Sequence, residues 1–353
     1  MTKSDSSRRA FILATAAGAS TVIGRWALPH TASAETTTSA SATEKSNAEP
    51  AVTRIGLMAD VHKDVMHDAN ERLTVFVEKM LQWKPDFVLQ MGDFCIPIAE
   101  NQSFMDIWNQ LPCPRHHVLG NHDMDGDGKT RPDEVYAFKR EETMEFWGMQ
   151  GRYYSFDYHG GHYVILDGND QGPGQEGYFR YVGDDQAEWF AQDLAGTKLP
   201  TFVFIHQSLE REKGGVENQQ AIRKLMEQAT DESGVSKVVA CFSGHHHRDY
   251  VRRINEIIYP QINSMSYYWL GGNYLQVRYS DEIDRQYPYI KYTVPYKDPL
   301  YAMVTIDRQQ GFLQIEGTQS KFVGPSPWEQ GASEEELESH SLLPSVSDWK
   351  IPI

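Results

Sequence analysis

Asp60 with His62, Gly92 with Asp93, Gly120 to Asp123, the lone His206, and Gly244 to His247 are five short polar segments, each standing where an apolar run ends. The runs before them read as buried strands: Arg54 to Ala59, Phe87 to Met91, His117 to Leu119, Phe202 to Ile205 and Val238 to Phe242. Strand ends in an open sheet lie along one edge, so groups from five distant places can converge there. Imidazole combined with carboxylate suits Zn, Fe, Mn, Ni or Co; Cu(I) would want thiolate, and Ca or Mg oxygen alone. Two such ions, about 3.5–4 Å apart, clamp the attacking and leaving oxygens of a phosphoryl displacement and acidify a bound water. A pair of this kind needs a shared carboxylate. Asp93 is the candidate, because the glycine before it lets the backbone pass close to the ions.

The ordered set DxH, GD, GNHD, a single His and GHxH, spread over Ile55 to Asp249, resembles the signature of the calcineurin-like metallophosphoesterase superfamily. The resemblance implies a four-layer α/β/β/α sandwich, with two mixed sheets flanked by helices. It implies a metal-dependent phosphoric ester hydrolase acting through metal-activated hydroxide. One ion would take Asp60, His62 and His247, the other Asn121, His206 and His245, with Asp93 bridging. His122 would stand near the leaving group, where an imidazole of near-neutral pKa can donate a proton, and Asp123 would orient its ring. Purple acid phosphatases of the same superfamily read DxG and GDxxY; His62 and Ile96 occupy those places here, so a tyrosinate-to-iron colour is not expected. The DxH form resembles the branch of class III cyclic-nucleotide phosphodiesterases and related phosphodiesterases. That branch is broad, so the substrate does not follow from it; small phosphate esters are expected, with phosphodiesters the first choice. A phosphomonoesterase of the same mechanism, or a non-catalytic module that holds phosphorylated ligands, is the alternative.

His246, His116, His117, His159 and His162 hold no motif position and read as ordinary structural histidines, with a substrate contact as the alternative for His246, which lies between two ligands. Asn169, Asp170 and Arg211 follow strands and are candidate pocket walls. Asp123, Asp125, Asp127 and Glu134, with Gly128 between them, have the spacing of a calcium loop. A strand and the GNHD turn precede that loop where a helix would be needed, so an acidic surface loop is the plainer reading. Ten of the 18 tyrosines lie between Tyr259 and Tyr301, punctuated by Gly271 and Gly272. Such a segment can overhang the metals and stack a base or sugar, or simply pack loops together.

The elements that must hold these residues alternate. Asn70 is a candidate cap for a helix whose Leu73, Phe76, Val77, Met80 and Leu81 share a face, closed before Pro85. Further helices are expected over Asn101 to Leu111, Glu134 to Trp147, from Asp184 or Asp185 onward, and over Gln219 to Ala229. Tyr153 to Tyr158 and His162 to Asp167 form a hairpin around Gly160 and Gly161. Later strands are expected at Tyr250 to Ile254, Leu300 to Asp307 and Phe312 to Glu316. Parallel-type units followed by hairpins imply mixed sheets.

Ser7, Arg8, Arg9 and the apolar residues after them match a twin-arginine export signal, with a small-residue cleavage site at Ala32 to Ala34. The expected organisation is a signal over 1–34, a Ser/Thr-rich linker over 35–50, a metallophosphoesterase domain over 51–320 and an extended tail over 321–353. The protein would then be periplasmic or extracellular. The apolar stretch of the signal is shorter than the roughly 20 residues a membrane span needs. With 353 residues of which 40% are apolar, the chain can bury a sizeable core. Its net charge of −16 repels polyanions, so no nucleic acid polymer is expected as a partner. Three cysteines do not make a disulfide framework, although a bridge between Cys95 and Cys113 stays open. The oligomeric state is not legible.

Overall fold

The computed structural model describes residues 51–125, 137–174, 177–333, 337 and 341–353. The expected signal and linker over 1–50, together with Asp127, Gly128 and Glu134, lie outside the described residues.

Strand β1 (Val52–Met58) pairs in parallel with β2 (Phe87–Gln90), which pairs in parallel with β3 (Arg115–His117). Antiparallel strands continue the sheet on the other side: β12 (Ala302–Asp307), β13 (Phe312–Glu316) and β14 (Trp349–Pro352). The order is β14-β13-β12-β1-β2-β3. The second sheet has the order β4-β5-β6-β7-β9-β8. It is built from β4 (Tyr154–Tyr158), β5 (Gly161–Ile165), β6 (Thr201–Phe204), β7 (Val238–Phe242), β8 (Tyr250–Ile254) and β9 (Ile257–Gln261). Strands β5, β6, β7 and β9 run parallel, with β4 and β8 antiparallel at the edges.

Three apolar layers account for the stacking. Ile55, Leu57, Leu89, Phe204, Phe242 and Val304 fill the space between the sheets. Helices α1 (Ala69–Trp83), α2 (Gln102–Trp108) and α3 (Arg140–Trp147) seal the outer face of the first sheet through Phe76, Phe104, Trp108 and Trp147. Helices α4 (Asp184–Gly196) and α5 (Gln219–Gln228) seal the second through Phe190, Leu194, Ile222 and Met226. Each such side chain withdrawn from water contributes on the order of 1.5–3 kcal/mol, so the four-layer α/β/β/α arrangement is held mainly by these faces. A two-stranded sheet, β10 (Tyr267–Trp269) with β11 (Thr293–Pro295), and the short helix α6 (Asp281–Gln286) form a small lobe of the tyrosine-rich segment, packed on the first helical layer through Tyr267, Ile283, Tyr287 and Ile290.

Several boundaries differ from the sequence expectation. Asn70 is not the cap of α1: Asp68 precedes the helix, accepts from Arg72 Nε at 2.7 Å, and makes no side-chain cap bond. Leu81 is exposed, so the apolar face ends at Met80. The second helix starts as a 3-10 turn and stops at Trp108, and α3 begins at Arg140. His159 and Gly160, at φ +45° and +68°, make the hairpin turn in place of Gly160 and Gly161. The expected tail over 321–353 contains β14 and is an integral edge of the first sheet. Cys95, Cys113 and Cys241 are all free thiols, so there is no Cys95 to Cys113 bridge. Among the described residues no helix is long and apolar enough to cross a membrane.

Candidate metal centre

The parallel strands β1, β2, β6 and β7 end on the same side, and the polar segments follow directly. Asp60 N donates to Gly92 O at 3.0 Å and His62 N to Asp93 O at 2.9 Å, so the first two loops are laced together. Ser264 Oγ and Ser266 Oγ pin the carbonyls of Asp60 and Val61 from the segment after β9. A Cβ on Gly92, whose φ is +99°, would collide with His206 Nδ1 and the Gly120 backbone. Asp60, His62, Asp93, His245 and His247 all have φ between +50° and +70°, a region costly for residues with a Cβ and concentrated at functional sites.

These loops bring together two groups: Asp60, His62 and His247, and Asp93, His206 and His245, with the ligand atoms of each group within 4.8 Å of one another. Asp93 Oδ2 lies 3.5 Å from His62 Nε2 in the first group and 3.2 Å from His206 Nε2 in the second, the position of a bridging carboxylate. Asn121 Oδ1 stands 3.2 Å from His206 Nε2, beside the second group. Every one of the seven sequence-predicted ligands is therefore at the centre.

The donor chemistry fits two cations. His206 Nδ1 donates to Met91 O and His247 Nδ1 to Tyr267 O, both at 2.7 Å, so in the neutral rings each Nε2 carries a lone pair. Burial opposes the His206 cation, but Asp93 and Asp60 outweigh it and raise its pKa to about 9, so a metal ion there would displace a proton from Nε2. Those lone pairs face the acceptors Asp93 Oδ2 at 3.2 Å and Asp60 Oδ1 at 3.3 Å. His62 Nε2 likewise stands 3.2 Å from His247 Nε2. Imidazole nitrogens and carboxylate oxygens aimed at one another at this range need positive charge between them, supplied by protons before metal binds and by metal ions afterwards. Burial penalises the Asp93 and Asp60 anions, yet the surrounding histidines hold both carboxyls below their usual range. The same burial keeps His245 neutral, with its pKa lowered to about 3.

Around the ligands the structure corrects one role and adds others. Asp123 does not orient His122. Its carboxylate accepts the backbone N–H groups of Gly120, Asp93 and Phe94 at 2.7, 2.9 and 2.6 Å. His122 Nδ1 instead meets Asp125 Oδ2 at 2.6 Å, and the Tyr178 hydroxyl donates to the same oxygen at 2.8 Å. Burial opposes the His122 cation, but Asp93, Asp125 and Asp64 outweigh it and raise its pKa to about 10. With Asp123 occupied by backbone and Asp125 by His122 and Tyr178, the calcium-loop reading loses its first two ligands; Asp127 and Glu134 lie outside the described residues.

Asn169 is a brace, its amide donating to Leu119 O at 3.0 Å and its carbonyl accepting from Gln207. Asp170 pairs with Arg140 and Arg152. Arg211 is buried, and its charge bears on His246. His246 is tied to Ser208 Oγ at 2.8 Å and lies beside His245. Sequence reasoning missed Asp64, whose Oδ1 is 3.5 Å from His62 Nδ1, and the Tyr178 and Tyr267 rings. Asp64 lies two residues after His62, which was the available signal.

A family model described as calcineurin-like phosphoesterase matches residues 53–249. Among solved structures, the chain is similar to a dimetal phosphatase from Danio rerio: 13% identity, covering 78% of this chain and 100% of that chain, with a TM-score of 0.53. It is also similar to GAP50, the anchor in the inner membrane complex of Plasmodium, at 12% identity over 82% of this chain and 94% of that one, with a TM-score of 0.44. No curated protein matches the chain. At these identities the likeness to solved structures concerns the fold.

Proposed function

The chain belongs to the calcineurin-like phosphoesterase family and is a metal-dependent phosphoester hydrolase, and from that premise we propose that it is an exported hydrolase of small phosphodiesters. The reading rests on Asp93, whose Oδ2 is shared between two ligand groups.

When bound, the two ions supply an acidified water and positive charge for the phosphoryl oxygens. The chain does the rest. Asp60, Asp93 and the four ligand histidines fix the ions' positions on a buried, hydrogen-bonded frame, so little reorganisation is needed during reaction. His122 stands beside them, its ring centroid 5.2 Å from that of His62. Asp125 holds Nδ1, leaving Nε2 as the atom that can protonate a departing alkoxide. Tyr178 and Tyr267 wall the His122 and His62 sides with rings.

A diester preference is supported by charge. Asp64 and Asp125 flank His122 and His62. Carboxylates so close disfavour the second negative charge of a monoester and tolerate a monoanionic diester. Export is supported by Arg8 and Arg9 ahead of an apolar stretch. The metals we expect are Mn, Fe or Zn.

With Mn²⁺ the purified protein should hydrolyse bis-p-nitrophenyl phosphate with a higher kcat/KM than p-nitrophenyl phosphate, and a chelator should abolish both activities. A higher kcat/KM on the monoester would overturn the diester preference. Asp93→Ala should lose turnover together with bound metal by elemental analysis; two ions and full activity in that variant would overturn the whole reading. Lysine at both Arg8 and Arg9 should leave uncleaved precursor inside the cell, and normal export of that variant would exclude the twin-arginine route.

A further inference from the structure

A file of rings leads out of the metal centre. Tyr178 lies 4.7 Å from His122, His122 5.2 Å from His62, and His62 4.9 Å from Tyr267, centroid to centroid. Tyr267 opens strand β10, and its ring is also 4.9 Å from His247. Side chains alternate along a strand, so Trp269 leaves β10 on the face that Tyr267 turns to the ligand histidines, about 7 Å further out. Tyr268 between them takes the opposite face, where its hydroxyl accepts from Arg248.

Trp269 is 46% exposed although one of its faces is covered: the Tyr292 ring stacks on it at 5.6 Å and 8°. Gly271 and Gly272 pass the two rings without side chains, and a Cβ there would stand 3.9 Å from Trp269 and 3.8 Å from Tyr292. Leu275, Val277 and Tyr289 extend the exposed apolar surface of the same lobe. Three rings and two aliphatic side chains, none more than 60% exposed, fall short of the roughly 800 Å² per partner that a standard protein interface buries. The acidic chain, at −16, also disfavours a polyanionic partner. What fits is one flat group, attached to something the metal centre holds.

We propose that Trp269, backed by Tyr292, is a stacking platform for a planar aromatic substituent on the organic group of the phosphoester. The proposal rests on the hydrolase reading above and adds the substrate class: esters whose alcohol carries an aromatic ring one short spacer from phosphorus. Such a ring would lie along the file from His122 to Trp269 while the phosphoryl group occupies the centre.

Binding of non-hydrolysable phosphonates to the Mn²⁺-loaded protein, measured by calorimetry, separates the two claims. Ethylphosphonate reports on the metal centre alone. Failure of the wild-type protein to bind it below the second pKa of the phosphonate, where it is a monoanion as a diester is, would count against the hydrolase reading. 2-(Naphthyl)ethylphosphonate adds the ring and should bind at least about tenfold more tightly, the order that one aromatic stack contributes. Trp269→Ala should bring the naphthyl-to-ethyl affinity ratio close to one, Trp269→Phe should restore part of it, and the naphthyl ligand should quench tryptophan fluorescence in the wild type more than in Trp269→Ala. An unchanged ratio in Trp269→Ala overturns the platform. A glucosyl phosphonate that gains as much as the naphthyl ligand, or more, overturns its assignment to aromatic groups.

Discussion

Asp123 and Asp125 are two residues apart and do different work. In the sequence, Asp123 is the obvious partner for His122 because it is adjacent. The turn over 121–124 brings Asp125 N to His122 O at 3.2 Å, which places the third residue on, and not the next one, beside the imidazole. Asp123 points back to cap three backbone N–H groups that link the second and third ligand loops. The two asparagine variants should therefore fail in different ways. Asp125→Asn should keep its fold and its metal while kcat falls about 10- to 100-fold, the usual cost of removing a group that orients a working side chain. The loss should be larger for alkyl esters, whose leaving oxygen needs a proton, than for p-nitrophenyl esters. Asp123→Asn turns an amide donor toward backbone donors and should cost on the order of 2–3 kcal/mol in unfolding free energy, with loss of metal. Equal effects of the two variants on melting temperature and on leaving-group dependence would contradict this division. Ligand identities were legible because the seven ligands stand just after five strands. Side-chain direction within a turn was not, because it depends on local hydrogen bonds that residue type alone does not specify.

Strands that carry the site were readable for a related reason: β1, β2, β6 and β7 are short apolar runs, buried on nearly every residue. Strand β9 went unseen although all five of its residues are buried, because Pro260 argues against an internal strand. Strands β10 and β11, three residues each, are too short to show a period. His162 on β5 illustrates what element packing adds to a residue with no motif position. Its Nδ1 meets Asp157 Oδ1 on β4 at 2.6 Å, and its Nε2 meets Asp193 Oδ2 on α4 at 2.8 Å, fastening the helix to the hairpin. Burial works against the imidazolium, but the bonds to Asp193 and Asp157 raise its pKa above the ordinary value. A raised folded-state pKa means the cation adds stability that is fully present below the unfolded value of about 6.5 and is lost as pH climbs through the folded value. The stability gap between the wild type and His162→Gln should be wider at pH 6 than at pH 9.5, by roughly 1 kcal/mol, in denaturant titrations. A gap of the same size at both pH values would show that His162 packs there without its charge.

Across the whole molecule, the final residues close a circuit that no local reading could supply. Residues 341–353 cross from the metal loop to the far edge of the first sheet. Asp249, two residues after His247, accepts Ser345 Oγ at 2.9 Å, Ser347 Oγ at 2.7 Å and Ser347 N at 3.1 Å. Asn263, beside the serines that pin the Asp60 loop, donates to Leu343 O and Ser345 O at 2.7 and 3.0 Å. Val346 is buried in the layer between the sheets, and β14 then pairs with β13. The segment therefore braces the last ligand loop and the first through separate bonds, while itself contributing no ligand. Ending the chain at residue 340 should remove these bonds, leave Asp249 and Asn263 partly buried without their partners, and expose the β13 edge. The expected loss is at least 3 kcal/mol, roughly that of two or three hydrogen bonds and one buried aliphatic side chain. Metal affinity should fall as well, because the loops carrying His247 and Asp60 lose their common brace. Ser345→Ala with Ser347→Ala, which keeps β14, tests the same idea more gently and should weaken metal binding by more than it lowers the melting temperature. A truncated protein that melts with the wild type and retains both ions under dialysis would mean that the strap is passive.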